Sequence, residues 1–315
     1  MTVAVTFPGQ GSQAVGMGAS LIEGSAAAKA VFQEVDDALG ESLSSLILEG
    51  PEETLTLTAN AQPALMAVSM AALKALEEHG FSISGNAACV AGHSLGEYSA
   101  LCAAGTFSIA DTARLLRIRG NAMQAAVPVG RGAMAAIIGL ERDDVLAICD
   151  EASADNNVCQ IANDNGGGQF VISGGKDAVE KAATRASEKG AKRAMLLPVS
   201  APFHSQLMAP AADAMKEALA EVKMNDPCVP LVANVLAAPV TSAEEICTRL
   251  VEQVTGQVRW QETIERMAAD GVTTLMEIGS GKVLSGLARR INRDLVSIAV
   301  GNMEDVAKAM ETLPR

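Results

Sequence analysis

Aromatic residues are scarce in this chain: six Phe, one Tyr and one Trp make up 3% of its 315 residues. The core must therefore be built from Ala, Val, Leu, Ile and Met, which the 49% hydrophobic content supplies. No apolar run reaches the roughly 18 residues that a membrane helix needs. The N-terminus has no basic stretch ahead of an apolar one, so no secretory leader is expected. Basic residues are outnumbered, 24 to 37, for a net charge of −13. Such a surface repels phosphate backbones and argues against nucleic acid as a partner. The six cysteines, at 89, 102, 149, 159, 228 and 247, form no C-x-x-C pair and stand near no histidine ladder. Reduced, mostly buried thiols are expected rather than a metal site. A cytoplasmic monomer with no metal, no cofactor and no membrane association is the expectation.

What is present is an alternation of apolar strands and amphipathic helices. A strand at Val3–Phe7 runs into Pro8-Gly9-Gln10-Gly11-Ser12-Gln13, helices are expected over 25–39 and 62–78, and a second strand at 87–91 meets Gly92-His93-Ser94-Leu95-Gly96. A helix follows from about Glu97. Strand, tight turn and helix make a parallel α/β unit. Residues 130–198 read differently: strand 133–140, helix 142–152, strand 158–162, a turn over 163–168, strand 169–173, helix 178–189 and strand 192–199. That β-α-β-β-α-β order is ferredoxin-like. The expected organisation is a discontinuous large domain, 1–129 and 199–315, with a small ferredoxin-like domain, 130–198, inserted into it. Strands at 231–235, 274–278 and 296–300 are expected to complete the large parallel sheet.

The chemistry begins at Gly92-His93-Ser94-Leu95-Gly96. A nucleophilic serine projects from a strained strand-to-helix turn, where side chains on the flanking glycines would clash. The turn also aims backbone N–H groups at a developing oxyanion. Ser94 then needs a base, and only three histidines exist. His79 lies at a helix end, where capping explains it. His93 adjoins the serine but leaves the turn in another direction, and packing or a local hydrogen bond explains it as well as a supporting role does. His204, in Ser200-Ala201-Pro202-Phe203-His204-Ser205 after an expected strand, follows the Ser-before-His order of hydrolase-like folds. By elimination it is the base.

Taken together, Pro8-Gly9-Gln10-Gly11-Ser12-Gln13, Gln62-Pro63-Ala64, Gly92 to Tyr98, Arg119-Gly120, Pro198 to His204 and Glu277-Ile278-Gly279 resemble the malonyl-CoA:acyl carrier protein transacylases. The same motifs mark the acyltransferase domains of fatty acid and polyketide synthases. The resemblance runs from about residue 3 to about residue 293. It implies an α/β-hydrolase-like large domain with a ferredoxin-like small one. It also implies transfer of malonyl from malonyl-CoA to the phosphopantetheine thiol of acyl carrier protein, through an ester on Ser94. Further roles follow from the resemblance alone. The backbone N–H groups of Gln10 and Leu95 form the oxyanion hole, Gln62 lines the site, and the Gln253 carbonyl orients His204. Asn163 and Asn165 face the cleft from the small domain.

A malonyl group differs from acetyl by one carboxylate, and a buried carboxylate needs a partner. A guanidinium offers a two-pronged, permanently charged one. Arg114, Arg117 and Arg119 share one expected helix, and the resemblance selects Arg119. In the family, a bulky aromatic in the place of Phe203, before the histidine, goes with malonyl, and a small residue is commoner where the acyl group carries an α-methyl. Asp164 adds a negative charge between the two asparagines. Acyl carrier proteins are generally acidic, so docking onto a chain of charge −13 calls for a local basic patch. Arg289 and Arg290, with Arg293 and Lys282 nearby, follow a strand end where α/β clefts form, and they match a docking pair of the family. Lys189, Lys192 and Arg193 are the rival patch. A serine hydrolase and a non-catalytic carrier-binding module are the competing readings. The first ordinarily has an acidic third member, and none is evident here; the second has no need of Ser94, His204 and Arg119 together.

Overall fold

The computed structural model describes residues 1–153, 157–199 and 201–312. Ser200, within the Pro198-to-His204 motif, lies outside them. Eleven strands appear among the described residues, in two sheets. They are β1 (Val3–Phe7), β2 (Ala87–Gly92), β3 (Gly132–Ile138), β4 (Cys159–Asp164), β5 (Gln169–Gly175), β6 (Arg193–Leu196), β7 (Leu231–Ala233), β8 (Ala238–Val240), β9 (Val258–Arg259), β10 (Thr274–Ile278) and β11 (Val296–Val300).

The larger sheet has the order β11-β10-β1-β2-β7-β8 and is parallel except for β8. Its strands β1 and β10 are buried along their whole length, as mostly apolar strands in a doubly covered parallel sheet should be, with Thr6, Thr274 and Glu277 the buried polar exceptions. The expected strand 231–235 stops at Ala233, because the chain turns through 234–237, where Ala237 has φ 51°, and returns as β8. The helices Thr58–Glu78 and Ile109–Ala126 pack together over this sheet. Sixteen residues of the first are buried, most of them Ala, Leu, Met or Val. Small aliphatic side chains thus do the work that aromatics do elsewhere.

The smaller sheet has the order β6-β3-β5-β4-β9. Its first four strands are antiparallel neighbours in the 4-1-3-2 arrangement of a ferredoxin-like unit. Helices Arg142–Ala152 and Lys176–Glu188 cover one face and share a separate apolar core with Ile137, Ile161 and Ile172. The expected turn over 163–168 is shorter than the sequence suggests. Asn163 and Asp164 belong to β4, paired with Val171 and Phe170, and the reversal lies at Gly166–Gly168, all three with positive φ. Strand β9, from the 199–315 part of the chain, pairs in parallel with β4 through Asn163↔Val258 and Asp164↔Arg259. The smaller sheet thus takes its last strand from the 199–315 part of the chain, beside Asn163 and Asp164. Among the cysteines Cys228 is exposed, against the expected burial, whereas Cys89, Cys149 and Cys159 are buried.

Candidate active site

The site is built on the turn that leaves β2. Ser94 has φ 55°, in the left-handed region that side chains other than glycine rarely enter. Its neighbours explain how the chain reaches that conformation. A Cβ on Gly92 would sit 1.9 Å from the Gly96 carbonyl, and one on Gly96 would sit 2.2 Å from the Phe7 carbonyl oxygen. Asn234, just past β7, locks the turn from the far side. Its Oδ1 accepts the Ser94 N–H at 2.8 Å and its Nδ2 donates to Gly92 O at 2.7 Å.

His204 faces the serine. Its Nε2 is 2.7 Å from Ser94 Oγ, and its Nδ1 is 2.9 Å from the Gln253 carbonyl and 3.2 Å from that of Gly256. Carbonyl oxygens only accept, so Nδ1 carries the hydrogen and Nε2 presents its lone pair to the hydroxyl. The place often taken by a carboxylate is thus filled by neutral backbone. The ring is buried, and burial first and the Arg119 charge second push its pKa down to about 3. Gln160 on β4 fastens the histidine loop, donating to His204 O at 3.3 Å and accepting from the Gln206 N–H at 3.0 Å.

Arg119 is 1% exposed. Its Nη1 donates to Gln62 Oε1 at 2.8 Å; its Nη2 donates to Gln253 Oε1 at 2.8 Å and to Ser94 Oγ at 3.1 Å. The guanidinium carbon lies 5.6 Å from the centre of the Tyr98 ring, a cation–π contact. No carboxylate pairs with Arg119 among the described residues. Its rivals point elsewhere. Arg114 pairs with Asp111 at 3.0 Å, and Arg117 pairs with Glu41 and donates to Ala59 O.

These groups open onto a cavity of about 390 Å³. Gln10 and Leu95 line it beside Ser94, and neither backbone N–H has an acceptor among the described residues. Phe203 lines it next to His204, and Gln62 beside Arg119. The small sheet contributes Asn163 and Asn165. Asn165 Oδ1 is 2.9 Å from His93 Nε2, and the His93 ring lies 5.5 Å from that of Trp260, so His93 links the large sheet's turn to the small sheet. Asp164 turns away from the cavity and accepts the Gly166 N–H at 3.2 Å; burial raises its carboxyl pKa. Gln253 stands behind the cavity wall, bonded to His204, Arg119 and the Ser94 carbonyl, all of which line it.

Arg289 and Arg290 lie outside, exposed on the last turn of helix Val283–Ile291, whose Val283, Leu284 and Leu287 line the cavity. Arg290 Nη1 donates to Gln169 Oε1 at 2.8 Å, and Gln169 lines the cavity as well. In the rival patch Lys189 is paired with Asp144 at 3.0 Å. No cluster of three His, Cys, Asp or Glu side chains suited to a metal occurs among the described residues.

Three residues of this constellation escaped the sequence reading. Glu97 accepts from both Gln253 Nε2 and the Asn234 N–H, the latter at 3.1 Å. It stood in the Gly92-to-Tyr98 motif with no role of its own, and a charged residue inside the apolar helix Gly96–Ala103 was the further signal. Asn234 and Gln160 had none, since polar residues near strand ends are ordinary.

Fold and site place the chain among acyl-transferring serine enzymes. The acyl transferase domain family matches residues 5–309. The malonyl CoA-acyl carrier protein transacylase of Bacillus subtilis (strain 168) is 49% identical over 311 residues, 99% of this chain and 97% of that protein. The crystal structure of acyl-carrier-protein-S-malonyltransferase from Bartonella henselae superposes with a TM-score of 0.97 at 63% identity, covering 99% of both chains. A malonyl-transacylase solved in complex with its type II PKS acyl-carrier protein superposes with a TM-score of 0.95 at 42% identity, covering 99% of both chains. The chain belongs to the malonyl CoA-acyl carrier protein transacylase family of acyltransferases.

The turn geometry makes a direct prediction. In Gly96→Ala the new methyl meets the Phe7 backbone, which cannot swing away as a side chain could. The variant should lose about 1–3 kcal/mol of stability in urea unfolding, together with most acyl-transfer activity. Wild-type activity in this variant would mean that the turn is looser than described.

Proposed function

We propose that this chain moves malonyl from malonyl-CoA to the phosphopantetheine thiol of acyl carrier protein, through an ester on Ser94, in fatty acid or polyketide synthesis. One observation carries the reading: a buried guanidinium without a carboxylate partner stands 3.1 Å from the Ser94 hydroxyl. An acyl group that ends in a carboxylate meets that charge, and a plain acyl group does not. The same reading places the reaction in the cytoplasm; no described helix is long and apolar enough to cross a membrane.

The steps follow from the contacts. Ser94 Oγ gives its proton to His204 Nε2 and bonds to the thioester carbonyl carbon. The carbonyl oxygen becomes an oxyanion, which the Gln10 and Leu95 N–H groups are suited to receive. The C–S bond breaks and the proton passes from His204 to the departing thiolate. The carrier thiol then repeats the sequence in reverse, releasing Ser94 and keeping the malonyl group. The carbonyls of Gln253 and Gly256 hold the imidazole in one tautomer throughout. Arg119 grips the distal carboxylate with its two Nη groups, with Gln62 and Gln253 fixing the plane of the fork. Phe203 bounds the acyl pocket, and Asn163 and Asn165 form its small-sheet wall. The reaction needs no metal or bound cofactor.

Three measurements test this reading. Incubated with malonyl-CoA, the protein should carry a malonyl adduct on the Ser94 peptide by mass spectrometry, and Ser94→Ala should carry none. An adduct that persists in Ser94→Ala, or steady release of free malonate at the rate of transfer, would remove the proposed mechanism.

Arg119→Ala should lower kcat/KM for malonyl-CoA by about two to three orders of magnitude, as truncating a buried charge partner does, while acetyl-CoA loses far less. An unchanged malonyl-to-acetyl preference would detach Arg119 from the acyl carboxylate.

For the carrier, Arg289→Glu with Arg290→Glu should raise the apparent KM for carrier protein about tenfold at low salt and leave Ser94 malonylation from malonyl-CoA nearly intact. Equal loss of both half-reactions would refute docking at this helix.

A further inference from the structure

Glu97 is a buried carboxylate that bonds to the Gln253 side chain behind Arg119, and no step above uses it. It is 1% exposed, at the start of helix Gly96–Ala103. One oxygen accepts the Asn234 N–H and the other accepts from Gln253 Nε2. The Gln253 amide is therefore read from both ends. Its nitrogen also donates to Ser94 O at 2.9 Å, and its oxygen takes Arg119 Nη2 at 2.8 Å. An amide set between a carboxylate and a guanidinium carries their attraction without letting them touch, and it has one correct orientation. Turned by 180°, it would present NH₂ to Arg119 and oxygen to both Glu97 and the Ser94 carbonyl.

We propose that Glu97 is a positioning and selectivity residue, whose carboxylate keeps the Gln253 amide oxygen on Arg119 and so holds the fork that receives the acyl carboxylate. This rests on the malonyl-transfer reading above and adds the group that sets its selectivity. The ionised form is required. Only a carboxylate accepts on both oxygens. A carboxamide in its place has one oxygen for two donors. If that oxygen serves the Asn234 N–H, its NH₂ faces the NH₂ of Gln253 and drives the flip. If it serves Gln253, the Asn234 N–H is left buried and unpaired.

The charge state of Glu97 gives the proposal its own signature. Burial pushes its pKa up to about 7, while the bonds from Gln253 and Asn234 and the charge of Arg119 pull the other way. The carboxylate therefore prevails at pH 8 and the acid at pH 6. The groups facing it are few. Helix Ile109–Ala126 presents Arg119, and Gln253 and Asn234 are neutral. Tyr98 on its own helix is held neutral by burial, which raises its pKa. Strands β1, β2 and β7 carry no charged residue; on helix Thr58–Glu78, Lys74 and Glu77 are half-buried and pair with each other at 2.6 Å, and Glu78 is exposed. His204, at about 3, stays neutral across this range.

The test uses malonyl-pantetheine and acetyl-pantetheine, which have no phosphate to titrate, and follows single-turnover acylation of Ser94 by mass spectrometry. In the unmodified protein the malonyl-to-acetyl rate ratio should fall as pH drops through about 7. In Glu97→Gln the ratio at pH 8 should be about tenfold or more below wild type, the cost of a disrupted buried hydrogen bond, and its step near pH 7 should vanish. A variant that slows both substrates equally would reduce Glu97 to support of the turn and overturn the proposal. So would a variant that keeps the wild-type ratio and step. If Glu97→Gln does not fold, the wild-type titration decides alone: a flat ratio between pH 6 and 8 overturns the idea. Absence of any malonyl adduct in the unmodified protein would instead defeat the function itself, which keeps the two failures apart.

Discussion

The arrangement around Ser94 depends on burying one permanent positive charge without neutralising it by contact. Taking a guanidinium out of water costs several kcal/mol unless it is paired. Here the acceptors are two amide oxygens, a hydroxyl and an aromatic face. A carboxylate in contact with Arg119 would lower that cost permanently and leave nothing for an anionic substrate to gain. The counter-charge on Glu97 is instead held one amide away, behind Gln253. The unmet charge also weighs on His204, whose imidazolium form burial and Arg119 both disfavour. With carbonyls rather than a carboxylate at Nδ1, the histidine is a weak base.

Such a balance works only if the groups cannot drift. The glycines of the turn let three backbone segments approach within van der Waals distance, so Ser94 has one position relative to β1 and β2. Asn234 stitches that turn to β7, and its carbonyl accepts the Arg259 N–H of β9 at 3.0 Å. Strand β9 in turn joins β4, which carries Asn163 and the Gln160 that clasps the histidine loop. Ser94, His204 and the small-sheet wall thus sit on one continuous hydrogen-bond network of side chains and backbone. Precision of this kind belongs to strands and their ends more than to free loops.

Much of this was legible in the sequence, for identifiable reasons. The strands at 3–7, 274–278 and 296–300 are short, mostly apolar and β-branched segments, and they match the structure residue for residue. Ser94 was legible because its turn demands glycines on both sides, and His204 because so few histidines compete. Arg119 could not be separated from Arg114 and Arg117 by periodicity alone, since all three suit a helix surface. Only the family's Arg119-Gly120 pair distinguished it; in the structure a Cβ on Gly120 would sit 2.6 Å from the Ala59 Cα, the close approach that brings this helix against Thr58–Glu78. Glu97, Asn234 and Gln160 were illegible because their importance lies in partners more than 40 residues away in the chain. The reversal at 166–168 was read too long because Asn163 and Asp164 carry turn-prone side chains, while strand pairing with β5 and β9 overrides that preference.

Charge at long range and charge at contact pull in opposite directions on this surface. A body of −13 repels an acidic partner, yet at physiological ionic strength that repulsion fades beyond about 8 Å. Near contact the local arrangement decides. Glu277, buried at the end of β10, accepts the N–H groups of Leu284 and Ser285 at 3.0 and 2.8 Å and so caps helix Val283–Ile291. An anion at the N-terminus and arginines in the last turn both suit the helix dipole. The cap therefore fixes the basic end of the helix in register with its own apolar side, where Leu284 and Leu287 line the cavity. A thiol arm delivered by a partner held at Arg289 and Arg290 starts beside the cavity wall. With docking at Arg289 and Arg290, as proposed above, the same short helix would set both where the partner rests and how far its thiol must reach to Ser94.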